Sequence, residues 1–452
     1  MQGKDVASIM DERPLGRMQI KLFVVCSLVV FFDGFDTQSI GYVAPLLASA
    51  TNAPIASFGT VFSVGLAGAA LGAFLFGPLG DQFGRRWLLI VACVFFSVFS
   101  LTTVFVTSLN ELMFVRFLTG LGLGGAVPTS LALVSEYSPT KYKALAITAM
   151  FSAFPFGGFI GGLAASFLIL HYGWQSVFLL GGIAPALACV ALVLWVPESI
   201  QYLAVRGKKR QLDRILRKFA PDVDSVRIEA PMETGRSQPV IRQMLAAKQL
   251  RITLLLWVPF FLGFMVILTV VLWGPSLLRE SGVPLSIAAL VFSVHYLGGF
   301  IGTAFSGYLI DKAGAKKVLI PGFLIGAICV GSFGYLTWSP LALCLDAFLC
   351  GLLLVGASNG LLPVAAALYP TSLRSSGIGW AMGAGRCGQL VGPILVGGML
   401  SAQLATSTIF LAAIVPCAIS ALFVWIVTRR MQGHLPAEPS FPDTASLRTA
   451  DT

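Results

Sequence analysis

The decapeptide GPLGDQFGRR, residues 77–86, follows a long apolar run and returns in altered form as GYLIDKAGAKK at residues 307–317. Both copies contain a glycine, an aspartate, a second glycine and two basic residues in that order, and Asp81 and Asp311 are 230 positions apart. A second pair of segments, EYSPTKYK and LYPTSLR, repeats with its prolines 231 positions apart. Because two separate segments repeat at nearly the same offset, the chain is predicted to consist of two similar halves.

The composition is that of a membrane protein. Charged residues make up 11% of the 452 residues and hydrophobic residues 56%, and the mean hydropathy is +0.86, whereas a soluble domain has roughly 25% charged residues. The eight cysteines lie in apolar segments without metal-ligand or redox spacing, so no metal, cofactor or disulfide is predicted. Twelve membrane-spanning helices are predicted, at about 20–48, 58–79, 87–107, 110–135, 143–170, 175–197, 252–278, 286–310, 316–337, 340–366, 377–402 and 406–430.

Basic residues are distributed unevenly over the loops between these helices. Arg279 is the only basic residue in the loops that follow odd-numbered helices, whereas the other loops and the tails are rich in Lys and Arg. The positive-inside rule therefore predicts that both termini are cytoplasmic. The net charge of +10 is explained by this topology and by contact with anionic lipid, so no nucleic-acid partner is predicted.

The chain divides into five predicted regions. A polar stretch, residues 198–251, separates the halves, and its segment QLDRILRKFA has the apolar spacing of an amphipathic surface helix. The regions are a cytoplasmic tail (1–19), a six-helix bundle (20–197), a cytoplasmic linker (198–251), a second six-helix bundle (252–430) and a disordered cytoplasmic tail (431–452).

The repeated loop resembles the signature of the major facilitator superfamily. Gly77, Asp81, Gly84, Arg85 and Arg86 match it, and the copy that contains Asp311 matches more loosely. The segment DGFD (33–36) in the first helix resembles the Asp-Gly-x-Asp signature of the aromatic acid:proton symporters, and RFLTGLGLGGAVP in the fourth helix and GAGRCGQLVGP in the eleventh also fit that group.

This resemblance implies the major facilitator fold and a function. The expected protein is a transporter of the bacterial inner membrane, without enzymatic activity, that imports benzoate-like or hydroxybenzoate-like carboxylates together with protons by alternating access. The expected partners are the aromatic acid, protons and the lipid bilayer, with no obligate protein partner.

Two aspartates of the DGFD segment lie in an apolar span, where each charge costs at least about 2.5–3.5 kcal/mol at the helix centre. Asp33 and Asp36 are three residues apart, so both are expected on one helix face. Two such close carboxylates do not both remain ionised at low cost, and we expect a proton-coupling or substrate-binding role for both. The alternative is a pair neutralised by fixed partners in the protein.

Three further charges lie within predicted spans. The guanidinium of Arg386 suits a two-pronged contact with a substrate carboxylate, and the alternative is a structural pair with a protein carboxylate. Arg116 and Asp346 are 230 positions apart in equivalent helices. They are either a coupling pair that changes partners between conformations or two charges satisfied within their own halves; Arg116 is assigned to proton coupling and Asp346 is a possible charge partner.

His295, Tyr296 and Trp380 are predicted to contact the substrate, although a lone histidine on such a helix is more often a hydrogen-bonded core residue. Glu136, Lys143 and Arg374 lie at cytoplasmic helix ends. We expect them to form gate contacts between the halves, together with the loop residues Gly77, Asp81, Gly84, Arg85, Arg86 and Asp311.

Other functions of the same fold stay open at this level. A proton-coupled drug exporter is disfavoured because the fifth helix lacks the ordered Gly-Pro step of the exporter motif. A sugar symporter is disfavoured because PESIQYL after the sixth helix lacks the expected basic residue. Another organic anion remains compatible with Arg386. A membrane-embedded enzyme or a receptor is least expected, because no nucleophile-and-base arrangement occurs in the helices.

Overall fold

A computed structural model of the protein describes residues 16–219, 247–369 and 374–431, and all regular secondary structure in these ranges is helical. Twelve long helices follow the chain: α1 (Arg17–Ala50), α2 (Phe58–Phe83), α3 (Arg85–Thr102), α4 (Leu109–Tyr137), α5 (Thr140–Tyr172), α6 (Gln175–Trp195), α7 (Ala247–Glu280), α8 (Leu285–Ala313), α9 (Ala315–Ser332), α10 (Pro340–Leu368), α11 (Arg374–Ser401) and α12 (Thr406–Arg429). Two short helices, Ile200–Val205 and Lys209–Phe219, follow α6.

Eleven of the long helices in the described ranges are long and apolar enough to cross a membrane. The exception is α11, which is rich in glycine and contains Arg386. Its 28 residues measure about 42 Å at 1.5 Å per residue, which exceeds the roughly 30 Å of a bilayer core. The all-helical membrane architecture is therefore confirmed, and the twelfth span and the cytoplasmic position of the termini stay predictions. The predicted disordered tail lies outside the described residues.

The repeated loop has the same backbone geometry in both halves. A single glycine separates α2 from α3 and α8 from α9, and both glycines adopt positive φ angles, +107° at Gly84 and +86° at Gly314. Residues with a Cβ rarely adopt this conformation, so the glycines of the sequence motif are explained by the turn itself.

Glycines also bring neighbouring helices into backbone contact. A side chain on Gly124 of α4 would collide with the backbone of Ala69 in α2, and one on Gly302 of α8 would collide with Leu352 in α10. Small residues at such crossings permit the close packing on which helix association in lipid depends. The two contacts join equivalent helix pairs, α2 with α4 and α8 with α10.

Contacts between the halves lie away from the end that carries the termini. Ser63 of α2 donates a hydrogen bond to the carbonyl oxygen of Leu390 in α11 (2.7 Å), and Ser293 of α8 donates one to the carbonyl oxygen of Phe159 in α5 (2.6 Å). In the same region the rings of Phe62 and Trp273 are 5.3 Å apart, edge to face. This end of the bundle is closed.

The opposite end, which carries the termini, is open between the halves. The face of α5 that meets α8 through Gly162 and Gly158 continues at helical spacing to Phe151 and Thr148, which are both exposed. The structure therefore represents a state in which the cleft between the halves opens toward the termini.

Candidate functional site

The site begins at the DGFD segment in the middle of α1. Asp33 is 9% exposed, and the hydroxyl of Thr37, one turn later, donates a hydrogen bond to its Oδ1 (3.3 Å). A side chain on Gly34 would collide with the carbonyl group of Phe154 in α5, so glycine at this position lets α5 pack directly against the level of the aspartates.

Asp36 is held in a buried ion pair. Its Oδ2 accepts a hydrogen bond from Nη1 of Arg116 in α4 (3.0 Å), and its Oδ1 accepts one from the hydroxyl of Ser100 in α3 (2.8 Å). Arg116 in turn donates from Nη2 to Thr103 (3.0 Å), and its guanidinium lies 4.6 Å from the ring centre of Phe178. The side chains of Asp36 and Arg116 are only 1% and 5% exposed, so this carboxylate has fixed partners in its own half.

Asp33 is arranged differently from Asp36. Its charge interacts electrostatically with Arg386 of α11, in the other half, and with Tyr296 of α8. Among the described residues it forms no direct ion pair, and Thr37 is its one hydrogen-bond donor. The structure thus brings Asp33, Arg386 and Tyr296 together at the junction of the halves, where Tyr42 also lies near Tyr296.

Gln38 was not singled out from the sequence. It is fully buried, and neither its amide nitrogen nor its amide oxygen has a hydrogen-bond partner in the part of the chain that the structure describes. On α1 it lies between Gly34, which packs against α5, and Gly41, which packs against Leu272 of α7. A buried amide without a partner costs about 1–3 kcal/mol. The signal that the sequence offers for Gln38 is an amide in an apolar span close to two aspartates.

The other predicted contact residues fall in different places. The Nδ1 of His295 lies 3.2 Å from the carbonyl oxygen of Ala347 in α10, so the buried imidazole packs inside its own half. Tyr296, the next residue, packs its ring against Gly158 of α5 across the interface. Trp380 of α11 is half-buried, with its ring centre 6.2 Å from that of Trp257 in α7.

Arg116 and Asp346 do not pair with each other. Arg116 is bound to Asp36, whereas Oδ2 of Asp346 accepts a hydrogen bond from Ser332 in α9 (2.7 Å). In this state the second sequence alternative is the observed one, because each charge is satisfied within its own half.

The predicted gate residues lie at the open end. Glu136 forms an ion pair with Arg85 of the N-terminal half and accepts a hydrogen bond from Ser199 (2.7 Å), which directly follows that half; among the described residues it has no ion pair with the other half. The backbone N–H of Arg86 donates to Glu198 (2.9 Å). Lys143 and Asp311 are exposed, and apart from its own helix no described residue lies within 4 Å of a Cβ built at Gly77. The side chains of Asp81 and Arg374 lie outside the described part of the structure.

The sequence matches the profile of the Major Facilitator Superfamily over residues 26–362 and 275–449. The chain belongs to this superfamily. It is 33% identical over 428 residues to the 4-hydroxybenzoate transporter PcaK of Acinetobacter baylyi, covering 93% of this chain and 94% of the relative. It is 34% identical over 423 residues to the gallate transporter of Pseudomonas putida, covering 93% and 94%. The benzoate transport protein of A. baylyi is 30% identical over 445 residues, covering 96% and 95%.

The solved structures agree with the fold. The crystal structure of a D-xylose-proton symporter superimposes with a TM-score of 0.72 at 20% identity, covering 92% of this chain and 99% of the other. At this identity the similarity concerns the fold alone. Within the superfamily the relatives place the chain in the aromatic acid:proton symporter family, which confirms the resemblance of the DGFD motif. It is a multi-pass membrane transporter, in bacteria of the inner membrane, and not an enzyme.

Proposed function

We propose that the protein imports aromatic carboxylates, such as hydroxybenzoates or benzoate, together with protons across the inner membrane by alternating access. Twelve helices form two six-helix bundles joined by the linker 198–251, both termini are cytoplasmic, and the state described above is open to the cytoplasm. The observation that carries the proposal concerns Asp33 and Arg386, which belong to opposite halves. Their charges interact electrostatically, but the two side chains form no direct ion pair among the described residues. It is supported by relatives named as 4-hydroxybenzoate, gallate and benzoate transporters.

Arg386 is the proposed receptor of the substrate carboxylate. A guanidinium offers two parallel N–H donors that match the two oxygens of a carboxylate. Because Arg386 is not in a direct ion pair within the described residues, its donors are available to an incoming anion without first breaking a bond to the protein.

Asp33 is the proposed proton carrier. Without substrate, the charges of Asp33 and Arg386 balance, as do those of Asp36 and Arg116. A bound carboxylate adds one negative charge to a poorly solvated site, where an unbalanced charge is costly. One proton on Asp33 restores neutrality, so the proposed stoichiometry is one proton per monovalent carboxylate and the transport step is electroneutral.

The aromatic ring of the substrate has suitable neighbours at the same junction. Tyr296 lies near Asp33 and also near Tyr42, and Trp380 belongs to the same helix as Arg386 and packs near Trp257. Among the described residues, the amide of Gln38 has an unpaired donor and an unpaired acceptor, which suits a polar group on the substrate. His295 has a structural role in this proposal, because its contact is with α10.

The roles of the remaining predicted residues follow from the alternation. Asp36 and Arg116 hold α1 against α3 and α4 and act on coupling indirectly. Lys143, Arg374 and the loop residues at the open end remain the proposed cytoplasmic gate, in contact when that end closes in the outward-facing state.

The proposal is tested with purified protein in lightly buffered proteoliposomes. Addition of 4-hydroxybenzoate outside is expected to raise the external pH, and uptake is expected to be faster when the outside is acidic. The uncharged 4-hydroxybenzamide controls for non-specific effects and is expected to give no signal. An exporter that exchanges its substrate for protons would give a pH change of opposite sign, and a facilitator would give none.

The Asp33→Asn variant is the matched control for the carrier. It is expected to lose the pH signal while retaining some downhill exchange of substrate, because a neutral amide still binds but carries no proton. The stoichiometry is tested by imposing a membrane potential with potassium and valinomycin at constant pH. Accumulation driven by the potential would contradict electroneutral symport of one proton with one monovalent carboxylate.

A further inference from the structure

A basic groove lies at the termini end of the N-terminal half, outside the cleft between the halves. It is formed by the start of α1, the start of α3, the end of α6 and the two short helices that follow α6, and it has a volume of about 1080 Å³. Five basic residues line it: Arg17, Lys21, Arg86, Lys208 and Arg214. Of the described residues that line it, one is acidic: Glu198, whose carboxylate accepts hydrogen bonds from the backbone N–H groups of Arg86 and Ser199 (both 2.9 Å).

Within the described residues, the groove carries an excess of positive charge. Among the described residues, none of the five basic side chains forms an ion pair. Nζ of Lys21 lies 5.4 Å from the ring centre of Trp195, and Nζ of Lys208 donates a hydrogen bond to the hydroxyl oxygen of Tyr202 (3.1 Å). Nε of Arg86 is buried and has no hydrogen-bond partner in the described structure. Such a concentration of unbalanced positive charge in a concave surface attracts an anion.

The groove lies at the level of the membrane surface. Trp87 and Trp195 line it and are 59% and 49% exposed, and tryptophan side chains are enriched where the hydrocarbon meets the headgroups. Leu194 lines the groove and is 69% exposed, and Ile20 at the start of α1 is 51% exposed. The site therefore combines cations at headgroup level with apolar surface directed to the bilayer.

We propose that this basic groove binds the phosphate headgroup of an anionic phospholipid, with the acyl chains against the exposed apolar residues at its edge. A soluble phosphate would use the cations but would leave Trp87, Leu194 and Ile20 exposed, so the combination favours a lipid. Because Lys208 and Arg214 belong to the segment after α6, the bound headgroup connects this segment to α1 and α3. The inference is independent of the substrate and of the proton carrier.

The test uses the purified full-length protein in neutral detergent and measures lipid binding by native mass spectrometry. Phosphatidylglycerol and phosphatidylcholine with identical acyl chains are titrated separately, and the anionic lipid is expected to bind more tightly. The test variant is Lys21→Gln/Arg214→Gln, because neither side chain donates a hydrogen bond within the described structure and the fold is expected to persist. Basic residues near an anionic headgroup contribute about fivefold each, so the affinity for phosphatidylglycerol is expected to fall roughly twenty- to thirtyfold.

The matched control is Lys316→Gln/Lys317→Gln, which removes the same charge from the start of α9 in the other half. It is expected to retain the affinity of the unmodified protein. Equal losses in both double variants would reduce the effect to general surface charge and overturn the assignment. Equal binding of the two lipids would also overturn it, and so would displacement of phosphatidylglycerol by glycerol phosphate at similar concentration, which would indicate a soluble anion instead.

Discussion

Replacing Asp36 by Asn is expected to destabilise the protein far more than replacing Asp33 by Asn. The Asp36→Asn substitution leaves the guanidinium of Arg116, only 5% exposed, without its carboxylate, and breaking a buried ion pair on one side costs about 3–5 kcal/mol. Asp33→Asn removes no direct ion pair, and its new amide oxygen still accepts the hydrogen bond from Thr37, so the expected cost is under about 1 kcal/mol. The two free energies of unfolding should therefore differ by at least about 2 kcal/mol.

Cysteine exposure offers a direct assay for this difference. Seven of the eight cysteines are buried or half-buried and Cys387 is exposed, so a thiol-reactive dye reports unfolding once Cys387 has been replaced by Ser. Unfolding by SDS titration in mixed micelles is compared for the two variants and for the double variant Asp36→Asn/Arg116→Gln. The double variant is expected to recover part of the loss, because it no longer buries an unpaired charge. Equal stabilities of the two single variants would refute the distinction between the aspartates.

Three further substitutions test the proposed site. Arg386→Lys is expected to weaken substrate binding about tenfold to hundredfold, because the loss of one charge-assisted hydrogen bond costs roughly 1.5–3 kcal/mol. Full affinity of this variant would show that Arg386 contributes only its positive charge. Gln38→Leu should leave the unfolding midpoint unchanged or raised, because no protein partner is lost, while the KM of hydroxybenzoate rises; a destabilised variant with normal KM would point to a structural amide. His295→Leu should leave KM unchanged, since His295 contacts α10, and a raised KM would return it to the substrate site.

The sequence is sufficient for most of the fold because hydropathy and the repeat act over long stretches. The glycines at 84 and 314 could be recognised as equivalent from the 230-residue offset, and both turn out to be the single residue between two helices. Among the long helices α11 is the least apolar, because it contains Arg386 and several glycines. Gly388 and Gly392 pack closely against α7, and Gly397 packs against the N-terminal half. The charge and the close packing of this helix therefore weaken the hydropathy signal by which spans are recognised.

The site could be predicted only in part. Residues three apart on a helix differ by about 60° around its axis, which is enough to direct Asp36 toward α3 and α4 and leave Asp33 at the junction with α11. The partners of Asp36 are 64 and 80 residues away in the chain, so tertiary packing and not local spacing decides which aspartate is neutralised. Gln38 carries no charge, and its role is indicated only by a buried amide that has no partner among the described residues, which depends on the tertiary structure.

The presence of two aspartates in one apolar helix has a simple electrostatic explanation in this arrangement. If Asp36 lacked Arg116, the site would carry a permanent unbalanced negative charge and would repel the carboxylate it is proposed to bind. With Arg116 in place, Asp36 is neutralised and serves to fix α1 against α3 and α4. Asp33, which interacts with Arg386 at a distance, is then the carboxylate of the DGFD segment whose charge state, we propose, follows that of the site. In that proposal a fixed pair beside a free carboxylate couples the entry of a single anion to a single proton, which two equivalent carboxylates would not do.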